Sequence, residues 1–432
     1  MVPVHSELLT VYPTKRSLVL PWLLAPLLFA QAAVQPVAPQ SKATVPSFAM
    51  VVTERFAAWD RDGNGTLSPS EIDALCVDPA VRGAEAAAVA ALKRVVRSGK
   101  YAVPPLTPDG LLNKTRAPAA SSGKAEDADR ADSTERAPTA ALRPVNFPAS
   151  FASCLRKIQT TPRVLFADET PDLDKCRQGP LGDCYFVAAV GAFVHRDALA
   201  VKRLLEPLPD GRFRATFGDG GSIEVSPLTD AEIALSGSTG DEGLWLPVLE
   251  KALGQLRRSK DPEKFAMETA TDAIANGGSA ATIVRMLTGH QTERIALKRV
   301  PRSTAKGPDG KPVVSTPQPA GDLEELAARV RREVGAAIEG RRLVTCGTGT
   351  EPQPPGISGK HAYAVLGFDA TADTLLVWNP HGNGFKPKGE PGLANGYATA
   401  AGMFRIPVAD FVRVFRSVGI ETTRPVDTGK GK

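Results

Sequence analysis

Residues 116–145 constrain the architecture most, because this stretch lacks the large apolar side chains that a packed core needs. It is rich in Ala, Ser, Pro and mixed charge, which predicts a flexible linker. The linker divides the 432 residues into a small module over 46–115 and a larger globular region over 146–422. Each part is long enough to fold around a core of its own. The last residues, 423–432, form a polar tail.

The first 32 residues are typical of a secretory signal peptide. Lys15 and Arg16 precede the apolar run SLVLPWLLAPLLFA, and Ala30 and Ala32 supply a small-residue cleavage site. The apolar run is short for a membrane span. We therefore expect export, with no stable membrane insertion after cleavage, and an uncleaved membrane anchor is the alternative. A Pro/Ala/Gln-rich spacer follows at 33–45.

Composition excludes some classes of protein and limits others. The net charge of +5 is small, and no basic block carries interleaved aromatics, which argues against a nucleic-acid partner. The cysteines at 76, 154, 176, 184 and 346 show no CxxC spacing, which argues against a zinc site. In an oxidising compartment, one working thiol would leave four cysteines for two disulfides, whose pairing the sequence does not determine.

The segment DRDGNGTLSPSE, at 60–71, has the spacing of an EF-hand calcium loop. Calcium prefers six to eight oxygen ligands. The candidate ligands are Asp60, Asp62, Asn64, Thr66 through its backbone carbonyl, Ser68, and Glu71 through both carboxylate oxygens. Gly65 at the sixth position permits the sharp bend.

EF-hands usually pair, so a second helix–loop–helix should follow. Residues 98–103 supply the short loop, but this loop carries no acidic ligands before Asp109. We interpret it as a degenerate, metal-free second hand. The prediction for 46–115 is therefore a small all-α module that binds one calcium ion.

The stretch QGPLGDCYFVAA, at 178–189, places a cysteine where a glycine-rich turn becomes an apolar helix. A helix N-terminus stabilises a thiolate through its dipole and free N–H groups. The N–H of Cys184 and the side-chain amide of Gln178 are positioned to bind an oxyanion. A buried cysteine that merely follows a turn is the simpler alternative.

A nucleophilic thiol needs a base. His361 opens the strand-like run AYAVLG, and Asn379 ends the strand-like run LLVW, so two adjacent strands would bring the imidazole and the amide together. A lone histidine at a strand start is more often structural. His381, in the turn beyond Pro380, is a rival base with a less favourable orientation.

The motifs QGPLGDCYFVAA, KHAYAVLG and WNPHG, in this order, resemble the calpains among the papain-like cysteine peptidases. GLWLPVLEKAL (243–253), NGGSAATIVRMLTG and GMFRIPVADFVRVF resemble further calpain segments. The resemblance covers about 146–422. It implies an α+β fold, a papain-like core with a helical lobe and a β-rich lobe, here preceded by the EF-hand module.

The resemblance also implies roles for four residues. Cys184 would be the nucleophile, His361 the general base and acid, Asn379 its orienting partner, and Gln178 an oxyanion donor. The family's tryptophan in its N-P-W-G motif is replaced by His381. Two acidic calcium-binding positions of the family's core are Lys175 and Gly243 here.

The sequence thus predicts an exported calpain-like endopeptidase that acts on a protein or peptide substrate through a thioester. A calcium-binding interaction scaffold that has lost most or all activity is the alternative. A transamidase, which would pass the same thioester to an amine, is a third hypothesis, and the sequence does not separate it from hydrolysis.

Overall fold

The computed structural model describes residues 46–112, 142–266, 268–275, 277–299 and 318–426. The predicted signal peptide (1–32), the spacer (33–45) and nearly all of the predicted linker lie outside these ranges. Their predictions rest on the sequence.

The helices form two groups, one in the N-terminal part and one distributed through the larger region. They are α1 (Phe48–Trp59), α2 (Pro69–Val77), α3 (Gly83–Ser98), α4 (Pro108–Leu112), α5 (Phe147–Thr160), α6 (Cys184–Arg196), α7 (Ala198–Leu204), α8 (Asp230–Leu235), α9 (Trp245–Lys260), α10 (Ala270–Ala275), α11 (Ala280–Thr288), α12 (Leu323–Glu339) and α13 (Val408–Val414). A 3-10 turn covers Leu173–Lys175.

The longer strands concentrate in the second half of the chain. The strands are β1 (Tyr101–Ala102), β2 (Arg143–Pro144), β3 (Leu205–Pro207), β4 (Phe213–Thr216), β5 (Ser222–Val225), β6 (His290–Ala296), β7 (Lys298–Arg299), β8 (Gln318–Pro319), β9 (Val344–Gly347), β10 (Ala362–Asp369), β11 (Thr374–Trp378), β12 (Thr399–Ala400), β13 (Met403–Pro407) and β14 (Ser417–Pro425).

The N-terminal helices form two helix–loop–helix units. The first joins α1 and α2 through the acidic segment, and a capping box between Ser68 and Glu71 starts α2. The second joins α3 and α4. The backbone N–H of Leu67 donates to the carbonyl of Leu106 (2.9 Å), which links the two connecting segments side by side.

These helices pack directly on the larger region. Helix α3 lies against α5 and α8, because its alanine-rich middle is buried on every face from Ala86 to Leu92. Phe48 stacks on Phe147 with ring centroids 5.1 Å apart. The hydroxyl of Thr229 donates to the carbonyl of Cys76 (2.6 Å).

Helix α6 runs through the middle of the helical lobe. All its residues from Tyr185 to Val194 are buried, as expected for a helix that is apolar all round. It contacts α11 on one side and β9 and β10 on the other. Gly191 lets α6 lie directly against Trp378 of β11, since a Cβ at this position would lie 2.2 Å from the Trp378 ring.

The second lobe is built on a seven-stranded antiparallel sheet with the order β12-β13-β11-β10-β9-β14-β6. Helices α12 and α13 cover this lobe and share its apolar core. Strands β10 and β11 are direct neighbours, with Ala364 opposite Trp378. The mixed helical and sheet architecture fits the predicted α+β class.

Two further findings concern the predicted environment. Among the described residues, no single helix is long and apolar enough to cross a membrane, although the pair α6–α7, bent by 118°, meets the criteria by length and composition. All five cysteines are unpaired thiols.

Candidate active site

Cys184 is the first residue of α6, at the end of a turn held between two other segments. Glycine is required at positions 179 and 182 because backbone carbonyl groups of two other segments lie too close for a side chain. A Cβ on Gly179 would lie 2.1 Å from the Ser236 carbonyl oxygen, and one on Gly182 would lie 2.6 Å from that of Ala275. Cys184 is half-buried, whereas the other four cysteines are buried. The turn therefore presents Cys184 at the surface of a rigid frame.

His361 and Asn379 meet as the sequence predicts, at neighbouring ends of β10 and β11. Nε2 of His361 lies 2.8 Å from Oδ1 of Asn379. The same Oδ1 accepts the backbone N–H of His381 (3.0 Å), and Nδ2 of Asn379 donates to Asn383 (3.1 Å). The amide orientation is thus set by three bonds, so Nε2 must carry the imidazole proton and Nδ1 keeps its lone pair.

The nucleophile turn and the imidazole belong to one site. The backbone N–H of Ala362, the residue after His361, acts on the Cys184 thiol and lowers its pKa, which places the start of β10 near the sulfur. The backbone N–H of Gln178 donates to the carbonyl of Pro380 (2.8 Å), which ties the nucleophile turn to the turn after Asn379. The structure therefore brings Cys184, His361, Asn379 and Gln178 together.

The resting pair is neutral. Burial raises the pKa of the Cys184 thiol to about 11, although the N–H of Ala362 opposes this shift. Burial also holds the pKa of His361 well below its usual value, and the neighbouring His381 adds to the effect. A thiol beside a neutral imidazole is the stable state at neutral pH.

His381 stacks on His361, with ring centroids 4.2 Å apart and an interplanar angle of 26°. It thus covers the face of the imidazole from the position where the resemblance predicts tryptophan. Burial lowers the pKa of His381 to about 4, with Lys100 contributing. His381 is therefore a neutral cover, and its backbone N–H also helps to orient Asn379.

The side-chain amide of Gln178 already makes a hydrogen bond within the turn, which the sequence did not predict. Its Nε2 donates to the carbonyl of Leu181 (2.7 Å), and its Oε1 has no hydrogen-bond donor among the described residues. One amide hydrogen of Gln178 thus stabilises the turn, which leaves the amide group one further hydrogen to donate.

Lys175 takes the place of an acidic residue in an acidic cluster. Its Nζ lies 2.8 Å from Asp241, 3.2 Å from Asp168 and 3.7 Å from Glu242. Glu242 is buried and accepts the backbone N–H of Asp172 on both oxygens (3.0 Å each). The ammonium group of Lys175 therefore neutralises these three carboxylates, which would otherwise repel one another.

Sequence reasoning missed several residues that shape the site. Tyr185 donates its hydroxyl to the carbonyl of Ile274 (2.9 Å), which anchors the start of α6 on α10. Arg177 pairs with Ser238 through two backbone bonds of 2.8 Å. Asp183 is fully buried beside the nucleophile. Of these, Asp183 and Tyr185 were visible in the sequence, through their places directly before and after the cysteine.

The acidic segment near the N-terminus gathers three carboxylates. One oxygen each from Asp60, Asp62 and Glu71 lies within 4.8 Å of the other two. Gly65 has a φ of +80°, which allows the bend without strain. Its backbone N–H donates to Oδ2 of Asp60 (2.8 Å).

The remaining candidate ligands line the same loop. Oδ1 of Asn64 accepts the N–H of Thr66 (2.8 Å), and the hydroxyl of Ser68 donates to Glu71 (2.8 Å). Hydrogen bonds from the backbone and hydroxyl of Ser68 lower the pKa of Glu71 to about 2, so this carboxylate is charged at neutral pH. The donor set, all hard oxygens with three negative charges, fits calcium.

A family model described as calpain family cysteine protease matches residues 152–390, which is more than half of the chain and contains all four candidate catalytic residues. No curated protein matches the chain.

Proposed function

The chain belongs to the calpain family of cysteine proteases, and we propose that it is an endopeptidase that cleaves peptide bonds through a thioester on Cys184. The observation that carries the proposal is the bond between His361 Nε2 and Asn379 Oδ1 (2.8 Å), which fixes the imidazole proton on Nε2 and leaves Nδ1 able to accept the thiol proton. The Ala362 N–H at the sulfur supports the same pairing.

The proposed reaction begins with proton transfer from the Cys184 thiol to Nδ1 of His361 as the sulfur attacks the scissile carbonyl carbon. The carbonyl oxygen becomes an oxyanion, bound by the N–H of Cys184 and the second amide hydrogen of Gln178. The C–N bond then breaks, and the leaving amine takes the proton from His361. Water, deprotonated by His361, attacks the thioester, which releases the carboxylic acid product and returns the proton to the sulfur.

An interaction scaffold with little activity is the second candidate. The observation in its favour is the resting pair, because a raised thiol pKa and a lowered imidazole pKa both disfavour the thiolate. In that case the cleft would still bind peptides but would turn them over slowly.

Covalent labelling separates these two functions. The reduced chain from residue 33 is treated with an epoxysuccinyl peptide, and the adduct is located by peptide mass spectrometry. We expect selective modification of Cys184 that is lost in His361→Ala. A folded sample with a free Cys184 that stays unmodified would favour the scaffold.

We further propose that the segment 60–71 binds one calcium ion through Asp60, Asp62, Asn64, Thr66, Ser68 and Glu71. The clustered carboxylates and the low pKa of Glu71 support this. Isothermal titration should give one site that prefers Ca²⁺ over Mg²⁺. Glu71→Gln should weaken it at least tenfold, whereas Asp109→Asn, outside the segment, should leave it unchanged. Equal affinity in the two variants would contradict the assignment.

We propose export through the signal peptide at 1–32, on the sequence pattern alone. N-terminal sequencing of the protein recovered from its native host should begin near residue 33. An intact leader on membrane-bound protein would instead favour the anchor.

A further inference from the structure

Asp183, the residue before the proposed nucleophile, has an unusual environment. It is fully buried and is the N-cap of α6, yet its side chain makes no capping bond. Aspartate at an N-cap ordinarily accepts an N–H of the first turn. Among the described residues, neither carboxyl oxygen of Asp183 has a partner that donates a hydrogen bond.

The group within hydrogen-bonding reach of Asp183 is a second carboxyl, that of Glu250 on α9. Glu250 is also fully buried. Its two oxygens accept the backbone N–H of Gly237 (3.0 and 2.8 Å). Glu250 therefore has the donors that an ionised carboxylate needs, whereas Asp183 does not. Two buried carboxyls this close cannot both be charged.

The charged and titratable groups around Asp183 support the same assignment. They are Lys157 on α5, Arg97 on α3, Glu250 on α9, and Cys184 and Tyr185 on α6 itself. Lys157 donates to the carbonyl of Ser236, and its charge interacts chiefly with Glu250. The guanidinium of Arg97 pairs with Asp272 (3.5 Å). Each of these two cations therefore interacts more strongly with another carboxyl than with Asp183.

We propose that Asp183 is a positioning residue that keeps its proton at neutral pH and donates it to the Glu250 carboxylate. This bond would fasten the turn that presents Cys184 to α9 and to the segment at Gly237. The inference rests on the proposed role of Cys184 as nucleophile. Burial, followed by the charge of Glu250, raises the pKa of Asp183 well above its usual value, consistent with this state.

A neutral Asp183 also matters for the thiol. A negative charge on Asp183 raises the pKa of Cys184, so the proton removes a charge that would oppose thiolate formation. Because the side chain does not cap α6, the N–H groups of Cys184 and Tyr185 stay available to the sulfur and to a bound carbonyl oxygen.

The test compares Asp183→Asn with wild type, both in a Cys184→Ser background, so that the result does not depend on peptidase activity. Wild type must keep a proton on Asp183 in the fold, whereas the unfolded chain releases it above about pH 4. Its stability therefore falls as pH rises toward the folded pKa. Asparagine has no proton to lose, so the Tm of the variant should rise relative to wild type by roughly 2 °C per pH unit between pH 5 and 8.

Two further measurements make the test specific. The infrared band of a protonated carboxyl should be present at neutral pH and absent in Asp183→Asn. With Cys184 intact, Asp183→Asn should keep most of the iodoacetamide reactivity that Asp183→Ala loses.

The matched control is Glu232→Gln. Glu232 is a buried carboxylate bound to Lys251 (2.7 Å), and its replacement should lower Tm at every pH above 5. If Asp183→Asn behaves like Glu232→Gln and the infrared band is absent from wild type, Asp183 is ionised and the proposal is wrong.

Discussion

At Cys184, burial and hydrogen bonding act on the thiol in opposite directions. Burial is the larger effect and raises the pKa to about 11, while N–H groups at the sulfur, chiefly that of Ala362, lower it. His361 is held neutral by burial as well. Thiol deprotonation must therefore accompany attack on the substrate, since a standing thiolate–imidazolium pair is disfavoured.

The pH dependence of alkylation tests this arrangement. With a thiol pKa of about 11, the rate of Cys184 modification by iodoacetamide should rise roughly tenfold per pH unit between pH 7 and 9. The rate is read by mass spectrometry of the Cys184 peptide, and the buried Cys346 serves as an internal reference. A flat rate between pH 5 and 8 would indicate a preformed ion pair and contradict the prediction.

His381 should make the fold sensitive to acid. Its pKa is lowered to about 4 in the fold against an ordinary 6.5. The unfolded chain therefore binds a proton first, and stability is lost as pH falls from 6.5 toward 4. The shift corresponds to about 3 kcal/mol.

His381→Trp removes this loss, because tryptophan can cover His361 without titrating. The fall in Tm from pH 7.5 to pH 4.5 should be smaller in the variant than in wild type. The pKa of His361 should also rise, since the charge of His381 depresses it. His195→Gln, at the far end of α6, is the control and should keep the wild-type fall in Tm. An identical fall in His381→Trp would rule out this role for His381.

At the scale of elements, the distance between α6 and β11 sets the position of the nucleophile relative to Asn379. Gly191→Ala would place a methyl group 2.2 Å from the Trp378 ring. Overpacking of this kind costs about 1–3 kcal/mol, which exceeds the gain of up to about 1 kcal/mol in helix propensity. We expect a lower midpoint in urea unfolding and slower labelling of Cys184.

The matched control for that variant is Gly335→Ala, also inside a helix. There the added methyl would lie 3.1 Å from Phe368, in the lobe that does not carry Cys184. Its midpoint should change by less than that of Gly191→Ala, and its labelling rate should stay at the wild-type value. Equal effects on labelling would show that α6 is not held by this contact.

Local patterns predicted the elements of the site well. A glycine turn before an apolar run predicted the helix that starts at Cys184. Two apolar runs, one opened by His361 and the other ended by Asn379, predicted the strands that bring these two residues together. The Asp183–Glu250 pair and the bond between Gln178 and Leu181 were not predictable in this way. They depend on how the turn packs against α9 and on a competing carbonyl nearby, and neither leaves a periodic signal.

At the scale of the whole molecule, the main difference from the sequence prediction is the docking of the N-terminal helices. The sequence suggested two parts with separate cores, joined by a flexible linker. In the structure, α3 is buried against α5 and α8, and β1 pairs with β2 from the far side of residues 113–141. The sequence of an alanine-rich helix is only weakly hydrophobic, yet its small side chains permit close packing against α5 and α8.

This docking connects the candidate calcium segment to the nucleophile turn through a buried ion-pair network. Helix α2 carries both Glu71 and Asp73, and Lys93 bonds Asp73 on one side and Asp272 of α10 (2.8 Å) on the other. Two residues further along α10, the Ile274 carbonyl accepts the hydroxyl of Tyr185, so α10 also supports the start of α6. A shift of α2 on calcium binding would therefore pull on α10 through Lys93.

Lys93→Met tests whether the two sites are coupled. We expect the calcium affinity of the variant to stay near that of wild type in isothermal titration, because Lys93 is not a ligand. In wild type, calcium should change the rate of Cys184 labelling, and in Lys93→Met this change should disappear. The variant should also be less stable, by up to roughly 3–5 kcal/mol, since Asp73 loses its cation and Asp272 keeps only Arg97. Lys260→Met, on the exposed end of α9, is the control. If calcium changes the labelling rate equally in both variants, the coupling does not run through Lys93. If calcium changes the labelling rate in neither variant nor in wild type, the calcium segment stabilises the docked helices without controlling the thiol.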